Sequence, residues 1–187
     1  MKLGHVVVAV SIGLFLVGCS AAPPEEMLAR ATRDENIARQ AADTVVEAGA
    51  RAKLFESTVA AYQDLLEAHP DSPQAQEGLF RLATIYNNDV RDFPKAVTLY
   101  RSYVERFPEG EKTAVAMFLI GYVYHNELRM LDSAKVAYER FLSAYPNHEM
   151  AISAQFELNT LGRPPEELVP AEESPAPAVA KGKGSGS

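Results

Sequence analysis

Apolar positions in the middle of the chain lie three or four residues apart, and the whole pattern then recurs every 38 residues. The short spacing is that of helices with one buried face; the long one marks a stack of like helical units. Tyr62, Tyr100 and Tyr138 are in register, with Pro70, Pro108 and Pro146 eight residues later and Phe80, Phe118 and Phe156 ten further on. Apolar columns fill the spaces: Leu65, Tyr103 and Phe141; Leu66, Val104 and Leu142; Leu82, Ile120 and Leu158; Ile85, Val123 and Leu161. This predicts helices over 50–68, 73–87, 94–107, 111–126, 131–145 and 149–161. Ser72 before Pro73 reads as an N-cap followed by proline at the first helical position, where a missing donor costs nothing. The fold class expected is all-α, a solenoid of helical hairpins over residues 50–162.

The flanks follow other patterns. Residues 25–49 are rich in Ala, Glu, Arg and Gln, with sparse apolar positions at Met27, Leu28, Ile37, Val45 and Val46. They match the later units poorly when shifted by 38, and are expected to form an N-terminal helical cap. Residues 163–187 turn to Pro, Ala, Glu, Gly and Ser and are expected to be a disordered tail, with too little apolar surface to offset chain entropy. At the other end, Lys2 and His5 precede an apolar run from Val6 to Val17, which predicts a secretory signal over residues 1–18. A tether with Pro23 and Pro24 closes residues 19–24.

Leu16-Val17-Gly18-Cys19 resembles the lipobox of bacterial lipoproteins. That resemblance implies cleavage before Cys19 and acylation of Cys19, whose acyl chains would anchor the protein at about 0.8 kcal/mol per buried methylene. Cys19 is the only cysteine, so no intramolecular disulfide is available. Ser20, rather than Asp, follows it, which by the family's sorting rule implies the outer membrane and its periplasmic face. Formal net charge is -7, or -8 once Lys2 leaves with the signal. No basic stripe exists to hold a nucleic acid, and acidity here reads as solvated surface.

The helical units resemble tetratricopeptide repeats. Leu79, Leu82, Ala83 and Tyr86, then Ala96, Tyr100 and Pro108, follow that family's pattern; Met117, Ile120, Gly121 and Tyr124, then Ala134, Tyr138 and Pro146, follow it again. A third copy, Gln155, Leu158, Asn159 and Gly162, is degraded. The period departs from that family's usual 34 residues, a difference longer loops can absorb. Tyr145-Pro146-Asn147-His148 and the run Ala154 to Leu158 are similar to the repeats of BamD-like outer-membrane lipoproteins and of YbgF-type Tol-Pal proteins. The signal, tether and repeats together favour the BamD-like side, although the chain shows fewer units than that family carries. The resemblance implies a scaffold for envelope proteins or their peptide segments, in β-barrel assembly, with a Tol-Pal or pilus-assembly coordinator of the YbgF or pilotin type as the alternative.

Catalysis, metals and cofactors find no support in the residues. His69, His125 and His148 share no metal-binding spacing. Glu25-Glu26 and Glu166-Glu167 lie beside prolines with nothing to desolvate them, and the glycines of the tail lack the strand and helix of a phosphate loop. No small-molecule substrate is expected. In the tetratricopeptide arrangement the first helix of each pair lines a groove, which implies Phe80, Thr84, Asn87 and Asn88 from one unit and Phe118, Tyr122, His125 and Asn126 from the next as partner-binding residues. For Phe80, Phe118 and Phe156 core packing is the stronger expectation. Phe80, Thr84, Leu119 and Glu157 occupy the positions where co-chaperone members grip a C-terminal carboxylate with Lys, Asn and Arg, so carboxylate clamping is not expected.

Overall fold

A computed structural model describes residues 21–45 and 47–163. The signal over 1–18, the lipidation site Cys19 and residues 164–187 of the tail therefore lie outside the described residues. Among the described residues eight α-helices follow one another: α1 Pro24–Ala42, α2 Ala48–Leu54, α3 Glu56–Ala68, α4 Pro73–Ile85, α5 Phe93–Arg106, α6 Thr113–Tyr122, α7 Leu131–Ala144 and α8 Ala151–Thr160. Among the described residues there is no strand, and no helix is long and apolar enough to cross a membrane. From α3 onward each helix packs on the next, which is the expected all-α hairpin stack.

Local chemistry fixes the helix ends. The Ser72 hydroxyl accepts from the Ala75 amide at 3.0 Å, ahead of Pro73. Asp92 does the same for Lys95 at 3.1 Å, ahead of Pro94. Helices α3, α5 and α7 stop at His69, Phe107 and Tyr145, with φ of -137°, -129° and -132°. Each of these residues precedes a proline, whose ring disfavours helical backbone before it.

Three differences from the expected elements stand out. The helix expected over 50–68 breaks at Phe55, which is fully buried. The break turns α2 so that Arg51 reaches Asp89 at 3.3 Å and the Ala42 carbonyl at 3.3 Å. The ends of the helices expected over 73–87 and 111–126, with the first residues of the loops expected after them, instead widen into π-helical turns, Tyr86–Val90 after α4 and Val123–Glu127 after α6. Just beyond them Arg91 and Arg129, in register, take left-handed backbone with φ of 60° and 55°. Finally, α1 is more than a cover: it skips α2 and packs along α3, burying Ala31, Glu35, Ala38 and Ala42.

Small residues let the helices approach. A Cβ on Gly121 would stand 2.7 Å from the Tyr138 ring, and one on Gly78 would stand 3.1 Å from a Leu65 methyl. The register mates of Gly78 are Ala116 and Ala154, both fully buried.

The three register tyrosines are buried alike, yet their hydroxyls fare differently. Tyr62 donates to Glu35 Oε2 at 2.6 Å. Tyr100 lies 3.3 Å from the Thr84 hydroxyl. Tyr138 has no partner among the described residues. Burial raises all three pKa values, and the bond to Glu35 raises that of Tyr62 further. Removing each hydroxyl should therefore give a graded series in chemical denaturation. Tyr62→Phe should cost about 1.5–3 kcal/mol and Tyr100→Phe about 0.5–1.5, while Tyr138→Phe should be neutral or stabilising. Equal losses at the three sites would contradict this account.

Candidate functional site

Helices α4 and α6 run into their π-helical turns, and the residues expected to hold a partner lie along these two stretches. Phe80 and Phe118 do not serve as free contacts. Phe80 is half-buried, edge-on to Tyr100 and Tyr103 with centroids at 5.8 and 5.5 Å. Phe118 is 8% exposed and wedged against Tyr138 and Phe141 at 5.8 and 5.9 Å. Both rings fill the space between the two helices of their own unit, where about 25 cal/mol per Å2 of apolar burial favours them. Core packing, the stronger expectation, prevails at these two positions. Phe156 departs from it, with 58% of its surface exposed.

Thr84 also turns inward, donating to the Phe80 carbonyl at 3.0 Å. The polar tips lie at the turns. Asn87 Nδ2 donates to Asn88 Oδ1 at 2.7 Å, and the buried Asn87 Oδ1 has no partner among the described residues. Asn88 is exposed.

In the second unit the structure brings three of the expected residues together. Tyr122 is exposed and stacks over Phe118 at 6.5 Å with 26° between the rings. Asn126 Nδ2 donates to the Tyr122 carbonyl at 3.2 Å. His125 Nδ1 lies 2.7 Å from Glu157 Oε2 on α8, so the imidazole ties the second unit to the third. The result is a rigid aromatic ring with an exposed face, bordered by amide and imidazole groups. Such a surface can bury an apolar anchor of a partner while satisfying its polar groups.

Glu157, which the sequence marks only as unsuited to a carboxylate clamp, belongs to this cluster. Its partner lies 32 positions away, so no local spacing points to it.

A second concavity, of about 630 Å3, opens between α5, α6 and α7. Val104, Met117 and Val136 line it alongside Arg101 and Arg140. Ala137 stands there at the register position of Leu99.

Among the described residues no three His, Cys, Asp or Glu side chains converge as a metal site. The tetratricopeptide repeat family model matches residues 77–110 and 115–148, two stretches 38 residues apart that take in most of α4 with α5, and α6 with α7. Tetratricopeptide repeats are thus found in the chain, and repeats of this kind bind proteins rather than catalyse reactions. A comparison with curated proteins gives no match.

Proposed function

We propose that this protein is a lipid-anchored periplasmic scaffold of the outer membrane that holds envelope proteins through its tetratricopeptide units, in the manner of BamD-like proteins of β-barrel assembly. The observation that carries the interaction is Tyr122, an exposed ring braced from behind by Phe118 and flanked by His125 and Asn126. A braced aromatic loses little entropy when a partner covers it, which suits an anchor position. The anchor itself rests on the sequence Leu16-Val17-Gly18-Cys19.

One feature favours this reading over a YbgF-type coordinator, which would self-associate through residues 25–49. The narrow stripe of α1, Ala31, Ala38 and Ala42, is used up against α3 and leaves only Ile37 as a large exposed apolar side chain on that helix.

Two measurements test the proposal. Cys19→Ala should move the protein from the membrane to the soluble fraction; unchanged tight association would remove the anchor. A photo-crosslinking residue at Tyr122 should capture a specific envelope protein, and Tyr122→Ala should weaken that partner's binding about tenfold or more. Recovery of bulk lipoproteins alone would count against the scaffold, and recovery of Tol-Pal or pilus proteins would transfer it to the alternative role.

A further inference from the structure

Helix α8 is docked on one side and bare on the other. Ala154 packs fully buried into the cluster formed with Ala134, Tyr138 and Phe141. Ile152 and Phe156 point elsewhere and are 84% and 58% exposed. In both preceding units the same register positions are covered. Phe80 lies under Tyr100 and Tyr103 of α5, and Phe118 under Tyr138 and Phe141 of α7. At the position of Ile152, Ala114 is buried and Gln76 donates to the Tyr103 hydroxyl at 3.0 Å. Among the described residues, no second helix covers this face of α8.

We infer that the bare face of α8 is a docking seat for a single amphipathic helix of another protein, one that takes the place α5 and α7 hold in their units. The two occupied seats state what that helix must carry. Each covering helix presents a buried alanine, Ala96 or Ala134, then an aromatic ring seven residues on, Tyr103 or Phe141. The intervening position differs in the third seat. Gly121 leaves room for the Tyr138 ring, whereas its register mate is Asn159, whose Oδ1 already accepts from Gln155 at 3.1 Å. The visiting helix therefore carries a small residue first, a small or hydrogen-bonding residue four positions on to face Asn159, and a ring seven positions on to lie over Phe156.

Neither residues 164–187 nor the described helices, in this chain or in a second copy, present that seam. Residues 164–187 contain no aromatic residue, and the register positions of Ala134, Tyr138 and Phe141 fall on Glu172, Ala176 and Val179. Helices α3, α5 and α7 bury their own seams within the fold. The seat continues an interface the protein already makes twice, and it depends neither on Cys19 nor on Tyr122.

The probe is a stapled, fluorescent helix with the sequence of residues 131–145 carrying Tyr138→Ser, its helicity verified by circular dichroism. Titrated against the full chain, it should bind saturably in the micromolar range. Phe156→Glu in the protein should weaken binding about tenfold or more, and so should Phe141→Ser in the probe. Because Phe156 is exposed, that protein variant should melt at the wild-type temperature. Absence of saturable binding, binding indifferent to Phe156→Glu, or a dimer of the chain that Phe156→Glu dissolves in sedimentation would each overturn the inference. The last result would give the seat to a second copy.

Discussion

Tyr100→Ala should lower the free energy of unfolding by about 3–5 kcal/mol, the range for emptying a fully buried aromatic site. The ring lies in the middle of the central core cluster with Leu79, Ala83, Ala96, Val97 and Ile120, so it joins α4, α5 and α6. Its neighbours cannot collapse into the space, because Ala83 and Ala96 are too short and Phe80 is pinned edge-on to Tyr103 as well. In a stacked array the loss also reaches beyond one unit, since each unit is stable largely through its neighbours. Against a total of about 5–15 kcal/mol for an ordinary domain, the variant should approach the point of unfolding at physiological temperature. Urea denaturation followed by circular dichroism measures it, with Phe156→Ala as the surface control expected within about 0.5 kcal/mol of wild type. A loss below about 1 kcal/mol for Tyr100→Ala would mean that the tyrosine column does not hold the stack together.

The second large effect is expected at Glu35, a carboxylate 5% exposed on α1. Its Oε1 accepts from Arg39 Nε and Nη2, both at 3.0 Å, while its Oε2 accepts from Tyr62 at 2.6 Å and faces Arg81 at 3.4 Å. Arg39 Nη1 then stands 2.9 Å from Asp89 Oδ2, an ion contact without hydrogen-bond alignment, and Arg51 reaches the other oxygen of Asp89 at 3.3 Å. The chain of alternating charges joins α1 and α2 to α4 and its π-helical turn.

Glu35→Ala removes the acid that three donors converge on. It leaves the Tyr62 hydroxyl without its 2.6 Å acceptor and takes one carboxylate each from Arg39 and Arg81, which keep Asp89 and Glu77 as their remaining partners. Removing one side of a buried ion pair costs about 3–5 kcal/mol. The value here should fall at the lower end, near 3, because Arg39 and Arg81 are 38% and 37% exposed and can turn toward water. Hydrogen exchange should show α1 and α2 opening first, with α6 and α7 still protected. Uniform loss of protection along the chain would contradict a local role for Glu35.

The repeated part of this fold was legible because each buried position recurs at a fixed interval and each helix end carries its own chemistry. Tyr62, Tyr100 and Tyr138 could be aligned by eye, and Ser72-Pro73 or the residue before Pro108 sets a boundary without help from distant residues. The partnership of α1 with α3 was not legible, for two physical reasons. Its buried stripe is mostly alanine, which carries little hydrophobic signal, and one buried position is the charged Glu35, held by Arg39 one turn on and by Tyr62 and Arg81 far along the chain. The bond from Tyr62 to Glu35 also spans 27 residues, against 16 for Tyr100 to Thr84, because α2 is inserted between the partners; the 38-residue shift therefore misses α1.

The candidate surface was legible in part. Pattern alone placed Phe80, Phe118 and Phe156 in one column, and it could not say that the first two have a covering helix while the third has none. The π-helical turns were invisible for a related reason. A widened turn differs from an ordinary last helical turn or a loop only in its hydrogen bonding, and Asn87 and Asn126, expected at helix ends, and Asn88, expected in a loop, suit all three.

Arg91 and Arg129 leave the two turns with the same left-handed backbone, and the acids inside those turns each hold an arginine from an earlier unit: Asp89 holds Arg51 and Glu127 holds Arg91. A genetic consequence follows for how the protein can change in length. Duplication of 38 consecutive codons would add a complete storey with its acid, its arginine and its closing proline already in place. Duplication of 37 with its junction inside a helix would turn the rest of that helix by about 100° about its axis, delivering its buried positions to water and its charges to the interior. Within its helices this protein can therefore grow only by whole storeys, and shorter tolerated insertions should fall in the turns between them.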